Sequence, residues 1–357
     1  MTTFWSKLIP LLSILVLGAA IALPMSGWLA PICLLALGGT VVCAVHHAEV
    51  VAHRVGEPFG TLVLAIAVTV IEVALIVSIM LSGGPEETAA VPRDTVFSAI
   101  MIICNGLIGL CLLIGGIRHH EQSFNTGGAN AALATLIALA TLSLVLPSFT
   151  TTSAGLTYST SQLTFAAVAS LVLWGMFVFV QTVRHRDYFL PVARRDDVNI
   201  HATPPTVRES WVSFSFLLIG LVVVVGLAKT LSPSIEAAVV RAGAPQATIG
   251  VLIAVLVLLP ETTAAIRAAR ANRLQTSLNL ALGSALASIG LTIPAVAVTS
   301  LVLGAPLQLG LQAKDLVLLT LTFLVTSITL VTGRTSVMQG AIHVVIFAAF
   351  LFLTLIP

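Results

Sequence analysis

GTLVLAIAVTVIEVALIVSIML, residues 60–81, is an apolar run whose only charged residue is Glu72. A second run, IGVLIAVLVLLPETTAAI at 249–266, carries Glu261 before its terminal apolar turn. Laid on one another, Gly60 to Glu72 matches Ile249 to Glu261 without a gap. A carboxylate at bilayer depth costs roughly 3 kcal/mol on insertion scales, so such groups mark ion or proton pathways. Two of them, one in each half of the chain, point to a path through a membrane.

Composition agrees. Hydrophobic residues make up 58% of the 357, charged residues 8%, and mean hydropathy is +1.09. A soluble domain carries about 25% charged residues, so the fold class is an all-α polytopic membrane protein. A net charge of +2 gives no reason to expect nucleic acid as a partner. The N-terminus, MTTFWSKLIPLLSILVLG, has one lysine and no small-residue cleavage site, and reads as a retained span. Cys33, Cys43, Cys104 and Cys111 all lie in apolar runs and form no CxxC, so no disulfide framework is expected.

Runs of about 17–25 apolar residues cross the hydrocarbon core as helices. Eleven are expected, near 8–23, 28–45, 60–82, 95–117, 130–147, 162–183, 210–230, 247–266, 277–302, 315–332 and 341–356. The runs are continuous rather than alternating, which excludes a β-barrel. Of the sixteen Lys and Arg, twelve fall on one side of this topology and Arg93, Lys229, Arg241 and Lys314 on the other. That asymmetry places the N-terminus in the cytoplasm and Pro357 on the periplasmic or extracellular side of a bacterial inner membrane.

The longest polar stretch, residues 184–209, reads as a cytoplasmic linker. It divides an extra first span (1–27) and a five-helix unit (28–183) from a second five-helix unit (210–357). An odd number of spans per unit makes the halves enter the membrane from opposite sides. Inverted repeats of this kind bind substrate near the midplane, between the repeats. Each glutamate lies on the second helix of its unit, about 18 Å along it at 1.5 Å per residue.

The helix after each glutamate carries small and polar residues: Ser98, Asn105, Gly106 and Gly109 in the first unit, Gly283, Ser284, Ser288 and Gly290 in the second. Small residues allow close helix approach, and hydroxyl or amide oxygens complete a cation's shell. Pro260, directly before Glu261, frees a carbonyl one turn back, which is tolerated at a cavity wall.

These stretches together resemble the calcium–cation antiporter superfamily in its cation/proton exchanger branch, most of all the bacterial ChaA-type sodium(potassium), calcium–proton antiporters. The likeness extends through HHAEVVAHRVGEPFG (46–60), RDTVFSAIMI (93–102), LLIGG (112–116) and TGRTSVMQGAIH (332–343). It covers nearly the whole chain after the first span. It implies that Glu72 and Glu261 bind cation and proton by turns, with Ser98 and Ser284 beside them. The chain departs from the family's Gly-Asn-Ala-(Ala/Pro)-Glu run, having Val68-Thr69-Val70-Ile71 and Val257-Leu258-Leu259-Pro260 instead. The first-repeat Gly-Ser…Ser-Asn signature is reduced to Ser98–Ile103, with Asn105 about two residues off register. Fewer oxygen donors leave room for monovalent ions. The linker also lacks the long acidic run of some relatives.

The expected activity is exchange of cytoplasmic Ca²⁺, Na⁺ or K⁺ for protons by competition at two midplane glutamates, with Asn105 as a further ligand and His343 as a relay or gate. A carboxyl group in a desolvated pocket favours its protonated form, and a cation displaces the proton. No resident cofactor is called for, and nothing in the sequence specifies an oligomer. Plainer readings stand beside these. Ser98, Ser284 and Asn105 also suit helix packing, as does His343, and Arg334 suits a membrane boundary. The His46–Glu57 segment reads as an interfacial amphipathic helix or as a pH or metal sensor. Monovalent-only antiport and a cation channel are the alternative functions. HExxH, intramembrane aspartate pairs and a phosphate-binding loop are missing, which argues against an enzyme.

Overall fold

The computed structural model describes residues 4–25, 27–56, 59–82, 84, 88–189 and 205–356. Among them are eleven helices long and apolar enough to cross a membrane. They are α1 (Phe4–Ala22), α2 (Leu29–Val55), α3 (Phe59–Ser82), α4 (Val91–His119), α5 (Thr126–Ser148), α6 (Thr160–Arg184), α7 (Val207–Arg241), α8 (Ala247–Arg270), α9 (Leu274–Leu303), α10 (Ala313–Val331) and α11 (Val337–Leu355). All eleven expected spans are present. Most of the expected linker, residues 190–204, lies outside the described residues, as does Glu57.

Local chemistry sets several helix ends. Ser159 and Gln162 form a capping box at the start of α6, and Thr206 with Glu209 does the same for α7. Gly304, in the left-handed conformation, terminates α9. Within α4 the segment Ile102–Leu107 is a π-helix, a local widening that often accompanies functional positions.

One element departs from expectation. His46 to Arg54 is not a separate interfacial helix but the last third of α2, and His47 is fully buried. At 1.5 Å per residue a 27-residue helix is about 40 Å long, so α2 outruns a hydrocarbon core of about 30 Å. Its projecting end packs against α1 and α7: His47 Nε2 lies 3.0 Å from Ser6 O, and its ring stacks on Phe216.

The packing of the helices shows the repeat. α3 lies against α9 and α8 against α4, while α4 lies against α11 and α9 against α6; α2 pairs with α7. These are the pairings produced by a two-fold operation that carries α2–α6 onto α7–α11, the two sets running in opposite directions. The extra helix, α1, packs on α2 and α7. Glycines permit close approach between α4 and α11. A Cβ on Gly340 would meet the backbone of Leu113, one on Gly109 would stand 2.8 Å from His343 Cβ, and one on Gly116 2.8 Å from Val337 N.

Two apolar cores result, one around α1, α2, α3 and α7, the other around α4, α5, α9 and α10. Outside, Leu15, Leu35, Val222, Val302 and Val345 are exposed. An apolar exterior around helices whose backbones are satisfied internally suits lipid rather than water. At one end a short antiparallel ribbon pairs Gln122–Ser123 with Arg334–Thr335, joining the α4–α5 and α10–α11 turns. Arg334 reaches Glu121 there at 3.5 Å, as a boundary arginine would.

Candidate ion-binding site

Glu72 and Glu261 are 2% and 3% exposed, each well inside its helix. Helix α9 meets both, Ser288 reaching Glu72 and Ser284 lining the cavity beside Glu261. Their surroundings differ. Ser288 of α9 donates its hydroxyl to Glu72 Oε1 at 2.7 Å. Among the described residues neither carboxylate oxygen of Glu261 has a hydrogen-bond partner. A buried carboxylate without a donor is costly as an anion, and binding a proton or a cation relieves that cost.

Glu261 instead borders a small cavity of about 30 Å³, enough for a water or a bare cation. Leu62 and Ala65 of α3, Trp174 and Gln181 of α6, and Gly283 and Ser284 of α9 line it. These are the ends of helices nearest the arginine-bearing α8–α9 turn, so the cavity lies toward that end of the bundle. A Cβ on Gly283 would meet nothing within 4 Å, so the absence of a side chain there is part of the opening.

A larger cavity of about 280 Å³ opens toward the opposite end. Ser98, Arg93 and Asp94 of α4, Gln246, and Lys314 and Asp315 of α10 face it. Arg93, counted above among the charges on the far side, is 6% exposed, with Nε donating to Asp94 Oδ1 at 2.8 Å and Nη1 to Gly310 O at 3.2 Å. Its charge is paired, which is how an arginine is accommodated at this depth.

The remaining candidates separate into two groups. Ser284 shares the Glu261 cavity, whereas Ser98 borders the other one. Asn105 and His343 meet each other: Asn105 Oδ1 lies 3.1 Å from His343 Nδ1, Asn105 Nδ2 donates to Thr322 Oγ1 at 2.8 Å, and Thr329 Oγ1 lies 3.1 Å from His343 Nε2. Among the described residues these contacts tie α4 to α10 and α11, with no hydrogen bond to either glutamate. Sequence reasoning had placed Ser288 among the small residues of α9 without assigning it to a glutamate. The available signal was its spacing of four from Ser284, which puts both hydroxyls on one helix face.

A glutamate pair on symmetry-related helices, with one cavity toward each end of the bundle, suits a transporter built from inverted repeats. The model of the sodium/calcium exchanger protein family matches residues 25–183 and 212–356. This chain belongs to that family. Among other family proteins, the sodium-potassium/proton antiporter ChaA of Escherichia coli (strain K12) is 34% identical over 351 residues, covering 97% of this chain and 94% of its own. The Ca²⁺/H⁺ antiporter of Aphanothece halophytica is 24% identical, over 87% of this chain and 86% of its own. The exchanger fold is shared with the solved structure of native YfkE, at TM-score 0.72 and 18% identity over the whole of both chains. It is also shared with the H⁺/Ca²⁺ exchanger CAX, at TM-score 0.72 and 16% identity, covering 98% of this chain and 88% of the other.

Proposed function

We propose that this chain is a proton-coupled cation antiporter that moves Na⁺, K⁺ or Ca²⁺ out of the cytoplasm in exchange for protons at Glu72 and Glu261. The observation that carries the reading is the burial of both carboxylates on symmetry-related helices, one of them at the edge of a cation-sized cavity. The names of the Escherichia coli and Aphanothece relatives agree with exchange of cations for protons. In this reading the buried carboxyl pair holds a proton when no cation is present, and an arriving cation displaces it. If the repeats rock only when the site is neutralised, outward cation movement requires inward proton movement.

In the same reading the protein sits in a bacterial inner membrane, N-terminus inside and C-terminus outside. Residues 1–27 form the extra span, 28–183 and 210–357 the two repeats, and 184–209 the linker. Monovalent-only exchange is the second reading. Ca²⁺ takes roughly six to eight oxygens, and the protein donors beside these glutamates are few. Ser288 is bonded to Glu72, and Ser284 shares the cavity of Glu261.

Everted vesicles with an acid interior and a ΔpH-sensitive dye test the proposal. Addition of NaCl, KCl or CaCl₂ releases protons from vesicles containing the protein and not from those lacking it. Silence with all three salts overturns the antiport reading. A response to NaCl or KCl with none to CaCl₂ selects the monovalent form.

A further inference from the structure

The two repeats carry the same carboxylate but not the same neighbour. Aligning Ser98 with Ser284 puts Ile102 where the second repeat has Ser288, four residues on in each case. The hydroxyl that reaches across from α9 to Glu72 therefore has no counterpart reaching from α4 to Glu261. Two further observations follow the same division. Glu72 accepts a short hydrogen bond, while among the described residues the Glu261 oxygens accept none. Glu261 borders the cation-sized cavity, and Glu72 is not among the residues lining it.

Resting on the antiport reading, we propose that the two glutamates divide the work. Ser288 holds Glu72 as the standing cation ligand, and Glu261 is the group that exchanges its proton with the cavity. A donated hydrogen bond compensates negative charge and fixes the carboxylate's direction, so Glu72 is oriented before the cation arrives. Glu261 has no such compensation; it is neutralised by its own proton, which leaves into the cavity as the cation enters. Ser288 is thus a positioning residue, acting on the ion through Glu72.

The test uses the purified full-length chain in liposomes, with radioactive Na⁺ and Ca²⁺ as probes. Two assays are compared: cation uptake driven by a pH gradient, and exchange of labelled for unlabelled cation at equal pH. For Glu261→Gln, the proposal expects loss of the gradient-driven assay and retention of label exchange. For Glu72→Gln it expects loss of both. Ser288→Ala raises the half-saturating cation concentration about tenfold, as loss of a hydrogen bond to a charged group does, while the maximal rate is kept. Ser288→Thr, which restores the hydroxyl, returns that concentration toward wild type. Equal loss of label exchange in Glu72→Gln and Glu261→Gln, with wild type active, overturns the division and leaves antiport standing. So does a Ser288→Ala protein with wild-type half-saturation. A wild type silent in both assays overturns the antiport reading and this inference with it.

Discussion

His343 Nδ1 and Asn105 Oδ1 meet at 3.1 Å across 238 positions of sequence, joining α11 to the π-helical turn of α4. The imidazole's other nitrogen faces Thr329 Oγ1, and the Asn105 amide reaches Thr322 Oγ1, so each polar group is satisfied within an apolar interior. These contacts hold α4 against α10 and α11. Taken as a clamp, the pair acts on exchange through the position of α4.

Removing one member takes from the other its facing partner at Asn105 Oδ1 or His343 Nδ1, at a cost of about 1–3 kcal/mol. His343→Ala and Asn105→Ala each lower thermal stability in detergent, and the double variant loses less than the sum because the shared bond is lost once. His343→Gln, which keeps a donor and an acceptor, retains proton-coupled uptake. Loss of coupling in a folded His343→Gln protein, with cation exchange intact, makes His343 a relay instead.

The α4–α11 seam tests the packing argument. A methyl at Gly340 collides with the Leu113 backbone, whereas one at Gly18 meets nothing within 4 Å. Gly340→Ala therefore yields poorly folded protein or a strongly reduced melting temperature, and Gly18→Ala behaves as wild type. Comparable melting of the two variants contradicts the seam as described.

Arg93 is predicted to be structural through its pair with Asp94. Breaking a buried pair by removing one partner costs about 3–5 kcal/mol, more than replacing both. Arg93→Ala is accordingly less stable than the double replacement Arg93→Met with Asp94→Leu, measured by thermal melting in detergent. The reverse order contradicts a compensated pair.

Gly283 is predicted to be permissive for folding and restrictive for transport. A leucine there enters the open space beside Glu261. Gly283→Leu keeps its melting temperature within a few degrees of wild type and loses an order of magnitude or more of its exchange rate. Unchanged exchange places the ion path elsewhere.

The orientation has its own check. The native cysteines are all buried and free, so an engineered thiol reports alone. An impermeant maleimide labels Ala154→Cys, in the exposed α5–α6 loop, on intact cells, and labels Ala271→Cys, in the α8–α9 turn, only after permeabilisation.

The spans were legible because a bilayer demands about twenty apolar residues wherever a helix crosses it, a constraint written directly into composition. The glutamates stood out for the same reason, as charges set in apolar runs. The projecting end of α2 was less legible. Polar HHAEVVAHR sequence signals departure from lipid, and only α1 and α7 alongside it turn His47 into a buried residue. Arg93 was hidden likewise, since its pairing with Gly310 O spans 217 positions. The Ser288–Glu72 bond spans 216, and local spacing specifies the face of a helix but not which neighbour that face meets. Asn105 and His343 each read as a lone polar residue in an apolar helix, and their pairing emerges only from the fold.

The most direct test of the central claim is cation-induced proton release from everted acid-interior vesicles, comparing wild type with Glu72→Gln and Glu261→Gln at matched membrane content. The account predicts release by the wild type and none by either variant, because each neutral amide removes a carboxylate that the coupled exchange needs. Release by both variants at wild-type rates would contradict it.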